Sequence, residues 1–94
     1  MVRMRLFLVD EISTGGGAWQ RDDVELPAVP RKGETIDIGD YGGGDDGFEG
    51  DVTGIRYIIP PAGAAWVEVN VASNHVVDGL LSDLLEKSGF KRVG

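Results

Sequence analysis

Few residues in this 94-residue chain could do chemistry, and each also has an ordinary structural role. His75 is the only histidine, so a two-histidine zinc site is excluded and a hydrolytic triad would have to use this one. Ser73 and Asp78 lie close to it, yet the stretch reads as a strand-to-helix junction, where Ser or Asn caps the helix and Asp favours its first turn. Capping is therefore the expected role. Gly15-Gly16-Gly17 lacks the Lys-Ser/Thr that lets a glycine-rich loop hold phosphates. Glu34 and Asp37 could share acid–base work, but without an apolar pocket to shift them they titrate as ordinary acids. No catalytic, cofactor-binding or metal-binding residue is assigned, and the chain is read as a non-enzyme that uses no cofactor.

The segment from Gly39 to Asp51 holds six glycines and five acidic residues around Tyr41 and Phe48. Ca²⁺ takes six to eight oxygen ligands, so Asp40, Asp45, Asp46, Glu49 and Asp51 invite a calcium reading. No register, however, gives the acidic spacing, central Gly and final Glu of an EF-hand loop, and a tandem calcium repeat is absent. Residues 39–50 are therefore expected to form a solvated loop. The aromatic residues Trp19, Tyr41, Phe48, Tyr57 and Trp66 are many large rings for so small a core. Trp66 has two readings, as core beneath the C-terminal helix or as part of a protein-contact patch. In the second reading Trp66, Tyr41 and Phe48, with Asp45, Asp46 and Glu49, are the contact residues.

Length and charge bound what these residues can serve. A chain of 94 residues is a single domain that buries about 60–65% of its unfolded surface, with no room for a large internal cavity. Nine basic residues against 16 acidic ones give a net charge of −7, which repels phosphate backbones and anionic lipid. Neither a nucleic acid nor a membrane is an expected partner. The apolar run Leu6–Val9 is too short for a secretory core and no run reaches a membrane span, so the cytoplasm is the expected compartment. The absence of cysteine agrees with a reducing location.

Periodicity supplies the elements. Val2, Met4, Leu6 and Leu8 alternate with Arg3, Arg5 and Phe7, predicting a strand over residues 2–9. Further strands are predicted over 19–26, 34–38, 51–59 and 65–72, with Gly54 marking a bulge in the fourth. In the fifth, Trp66, Glu68 and Asn70 face away from Val67, Val69 and Val71. Val77, Leu80, Leu81, Leu84 and Leu85 recur every three or four residues, predicting a helix over 75–88 that Gly89 terminates, with Phe90 folding back on Leu85. With no helix before residue 73, parallel pairing through crossover units is not expected. The predicted architecture is a mainly β, α+β domain. About five strands form a strongly bent antiparallel sheet or small barrel, and the C-terminal helix packs on it.

Leu26-Pro27-Ala28-Val29-Pro30-Arg31-Lys32-Gly33-Glu34-Thr35-Ile36, followed by Val52-Thr53-Gly54-Ile55 and a valine-rich hairpin, resembles small SH3-like barrel proteins of unknown function from bacteria and phages. The likeness spans residues 24–71. It implies a barrel in which Pro-Arg-x-Gly-Glu turns the chain into the next strand, and, for a phage protein, a place in the virion. It implies no activity. The function expected from the sequence is a non-catalytic interaction or assembly module that binds another protein or itself. Two alternatives stand beside it: an acidic mimic of nucleic acid, which needs its carboxylates in one stripe, and a small-ligand binder at a subunit interface.

Overall fold

A computed structural model describes residues 1–12, 17–38, 48–73 and 79–94. Its elements are β1 (Val2–Val9), β2 (Ala18–Leu26), β3 (Thr35–Ile38), β4 (Phe48–Ile58), β5 (Trp66–Ser73), α1 (Gly79–Lys87) and β6 (Lys91–Arg92). The six strands form one sheet in the order β3-β4-β5-β1-β2-β6, strongly curled into a half-barrel. The mainly β architecture with one short helix is therefore as the sequence indicates.

The alternation that predicted β1 also decides the core. Met4, Leu6 and Leu8 point inward with Val69 and Val71 of β5 and Val52 of β4, and all six are almost completely buried. Trp19 of β2, Ile38 of β3, Leu85 of α1 and Phe90 join this cluster, so the helix end closes the concave side of the sheet. The helix stops as its sequence demands. Gly89 adopts φ +87, the Phe90 N–H donates to the Leu85 carbonyl (2.9 Å), and the Gly89 N–H donates to Glu86 (3.1 Å). These two bonds satisfy carbonyls that the helix leaves without partners and carry Phe90 back over Leu85. From β2, the Arg21 guanidinium donates to the Ser88 carbonyl at 2.7 Å, tying the same turn to the sheet.

Several sequence expectations are corrected. β1 pairs with β5 in parallel, from Met4↔Val67 to Val9↔Ala72, although no helix connects them. The connection runs instead through β2, β3 and β4, and the curl of the sheet returns β5 to the open edge of β1. The sheet is mixed rather than antiparallel. The helix is not the last element, because β6 follows it and pairs with β2 at Trp19↔Arg92 and Gln20↔Lys91. Two residues carry no readable period, which hid this strand from the sequence. β4 starts at Phe48, so Phe48 and Glu49 belong to a strand rather than to the loop, while Ile59 lies beyond its end. The predicted start of the helix at residue 75 lies outside the described residues.

Two bulges set the register. In β4 the pairing shifts between Val52 and Gly54, leaving Thr53 as the extra residue. In β2 the shift falls opposite Arg5, where Asp22 and Asp23 occupy the space of one residue. Gly50 is fixed by close approach, because a Cβ there would lie 2.5 Å from Cγ1 of Val71 and 3.0 Å from the Ala72 carbonyl. Ahead of β3, Gly33 (φ +93) completes a turn in which the Glu34 N–H donates to the Arg31 carbonyl, and Arg31 and Lys32 are exposed.

Candidate interaction face

Side chains that do not point into the half-barrel line its convex outer face, and the strand register places them in rows. The first row crosses four strands with alternating charge. Asp22 of β2 accepts from Nε of Arg5 in β1 at 2.9 Å, Arg5 stands opposite Glu68 of β5, and Glu68 stands opposite Arg56 of β4 at 3.6 Å. Each pair has one well-exposed member, Asp22 or Arg56, so each contributes roughly 1 kcal/mol or less. The second row holds Glu25 opposite Arg3, then Trp66 opposite Ile58. In the third row Gln20, Phe7, Asn70 and Gly54 are neighbours, and in the fourth Ala18, Val9, Ala72 and Asp51.

Trp66 is the large ring of this face. It is 37% exposed and the Arg5 guanidinium lies 5.4 Å from its ring centroid, a cation–π contact that holds the indole against β1. The reading of Trp66 as core beneath the helix is corrected, because α1 packs on the opposite side of the sheet, where Val67, Val69 and Val71 point. A shallow cleft of about 330 Å³ beside the ring is lined by Arg3, Arg5, Asp22, Ala64 and Ala65. Arg3 makes no ion pair among the described residues. A second hollow, about 230 Å³, lies on the concave side between Val24 and Leu26 of β2, Ile36 and Ile38 of β3, and Phe90.

The remaining sequence candidates do not join Trp66. Glu49 is exposed near the start of β4, opposite Asp37 of β3, whereas Ile58, the neighbour of Trp66, ends the same strand. At about 3.3 Å per residue these positions are roughly 30 Å apart. Phe48 occupies the first position of β4, opposite Ile38. Tyr41, Asp45, Asp46, His75 and Asp78 lie outside the described residues. Ser73 is a buried residue of β5. Trp19 is core at 3% exposure, with Arg92 5.9 Å from its ring, and Tyr57 is 68% exposed at the end of β4.

The Asp23 carboxylate is clearly displaced. Its hydrogen bond from Nε of Arg21 (3.0 Å), reinforced by the guanidinium charge, holds it below its ordinary value of 3.8. Among the described residues no group of three or more His, Cys, Asp or Glu side chains is placed to hold a metal ion. Among them, too, no helix is long and apolar enough to cross a membrane. No protein-family model, curated protein or solved structure matches this chain.

The arginines around Trp66 were missed by sequence reasoning. Arg3 and Arg5 were legible as the outward positions of β1, but only the parallel pairing of β1 with β5 puts them beside Trp66.

Proposed function

We propose that this domain is a non-catalytic interaction module whose contact surface is the outer face around Trp66. The observation that carries the reading is a solvent-facing indole set among Arg3, Arg5 and Arg56. Tryptophan and arginine are residue types that dominate interface energetics, since they bring large area and directional hydrogen bonding with few rotatable bonds held against a rigid sheet. The adjoining Ala64 and Ala65 are small enough for a partner to approach closely. The nucleic-acid mimic is less well supported, since on the described outer face carboxylates alternate with guanidinium groups instead of forming a stripe.

The test is affinity capture with three baits: the natural chain, Trp66→Ala and Tyr57→Ala. A partner retained by the natural chain and by Tyr57→Ala but lost by Trp66→Ala is the expected result, with all three baits matched in thermal midpoint. Equal retention on all three would refute this face as the contact surface.

A further inference from the structure

We infer that the occupant of this face is a second copy of the same chain, paired about a two-fold axis that runs parallel to the strands between β1 and β5. This inference rests on the contact face proposed above and names its partner.

The argument is the order of charge across the sheet. Read from β2 to β4, the first row is Asp22, Arg5, Glu68, Arg56: negative, positive, negative, positive. A two-fold axis between β1 and β5 reverses this order in the facing copy. Asp22 then meets the second copy's Arg56, and Arg5 meets its Glu68, so each opposed pair is attractive and occurs twice. A row of the same composition ordered negative, positive, positive, negative would place like charges in contact under this operation.

The second row gains from the same reversal at its two central positions, although it sets Glu25 over the second copy's Ile58, a pair without complementarity. Arg3 precedes Met4, and Trp66 precedes Val67, so the parallel pairing Met4↔Val67 puts Arg3 and Trp66 side by side. The axis brings Arg3 over the second copy's Trp66. One cation, Arg5, already lies over this indole within the chain, and Arg3, without an ion pair among the described residues, would supply another from the facing copy. In the third row Phe7 meets Asn70, and in the fourth Val9 meets Ala72, an apolar and close-packing pair.

An isologous interface requires that residue i meet j while j meets i, and these rows satisfy that condition because β1 and β5 are parallel neighbours at the middle of the sheet. Aligned sheets pack about 10 Å apart, a separation that outward side chains of this size can fill. The face is convex, so β1 and β5 make the closest approach and β2 and β4 stand at the rim of the contact. The pairing therefore belongs to the small-interface class, below about 1,200 Å², with a dissociation constant of roughly micromolar or weaker.

The experiment is sedimentation of the full chain across concentrations up to about 1 mM, for the natural chain, Arg5→Glu, and Arg5→Glu with Glu68→Arg. The natural chain should dimerise reversibly. Arg5→Glu should move the midpoint at least about tenfold, because it opposes like charges twice per dimer, and adding Glu68→Arg should restore most of the loss. Circular dichroism melts of each variant separate a folding defect from an association defect, and Arg56→Glu offers a second reversal opposite Asp22 should Arg5→Glu not fold. Geometry is read independently by cysteine cross-linking, since the chain has no cysteine of its own. Asn70→Cys should be joined into dimers by a short bis-maleimide, while Lys87→Cys, on the helix, should not. A chain monomeric throughout, or a dimer indifferent to Arg5→Glu, overturns the inference. If the natural chain stays monomeric while Trp66→Ala still loses a foreign partner, the contact face stands and self-pairing falls.

Discussion

Replacing Leu85 with alanine tests whether α1 is the lid of the half-barrel. Leu85 is 0% exposed and belongs to the same cluster as Met4, Leu8, Val69 and Val71. The substitution removes about three methylene-sized groups, roughly 2.4 kcal/mol of transfer free energy at about 0.8 kcal/mol each. The void is walled by a rigid sheet that cannot collapse into it, which raises the cost to about 3 kcal/mol. A domain of this size has a total stability of roughly 5–14 kcal/mol, so the variant should remain folded but melt early. Each kcal/mol moves the midpoint by about 4–8 °C, giving a fall of roughly 12–24 °C. The assay is a thermal melt followed by circular dichroism, with Glu86→Ala as the control. Glu86 is exposed on the same helix, and its loss should stay within about 0.5 kcal/mol. A Leu85→Ala midpoint within a few degrees of the Glu86→Ala midpoint would refute the lid, since a fully packed leucine cannot be lost so cheaply.

Three further outcomes are expected. Gly89→Ala should cost about 1–2 kcal/mol in chemical denaturation, because alanine must adopt the left-handed conformation that ends α1, and Gly89→Asn should cost less. Glu49→Gln should stabilise the chain by about 0.2–1 kcal/mol, since Glu49 and Asp37 are like charges directly opposed across β3 and β4, and the gain should shrink at high salt. Asp23 has a folded-state value below the 3.8 of the unfolded chain, so its pairing with Arg21 contributes stability above about pH 4 that is lost as pH falls through the lower, folded-state value. The difference in melting midpoint between the natural chain and Asp23→Asn should therefore vanish toward pH 2, and a constant difference from pH 5 to pH 2 would count against this pairing.

The legible part of the fold is the part encoded by uninterrupted period. β1, β5 and the end of α1 follow from alternation or from three-and-four spacing over eight or more residues, and their buried sets are those the pattern names. The outward position of Trp66 follows from the same alternation, although the choice between core and surface needed the helix to be located. Trp19 shows where the method stops. By strict alternation with Val24 and Leu26 it belongs on the outer face, yet the bulge at Asp22 and Asp23 inserts one residue and turns it inward. Two adjacent aspartates carry no bulge signal of the kind that Gly54 gave in β4. β6 was illegible for another reason, being two exposed basic residues held in place by partners on β2 rather than by any preference of their own.

The parallel pairing of β1 and β5 shows how far local reasoning can carry a site. Each strand, taken alone, dictates that Arg3 and Arg5 face away from Met4 and that Trp66 and Glu68 face away from Val67. Nothing local says that these two outward sets are neighbours. Had the chain closed with β5 antiparallel to β1, reversing one strand against the other would bring Arg5 beside a different member of the Trp66, Glu68, Asn70 series, and the charge order across the sheet would change. The alternating row also depends on both bulges. Without the extra residue at Thr53 the positions beyond it in β4 would exchange faces, turning Arg56 inward and Ile55 out. Without the extra residue in β2, Trp19 and Arg21 would exchange faces with Gln20 instead. Thus the same two insertions that keep Ile55 and Trp19 in the core set the outer row in register, and the inner and outer faces are specified together.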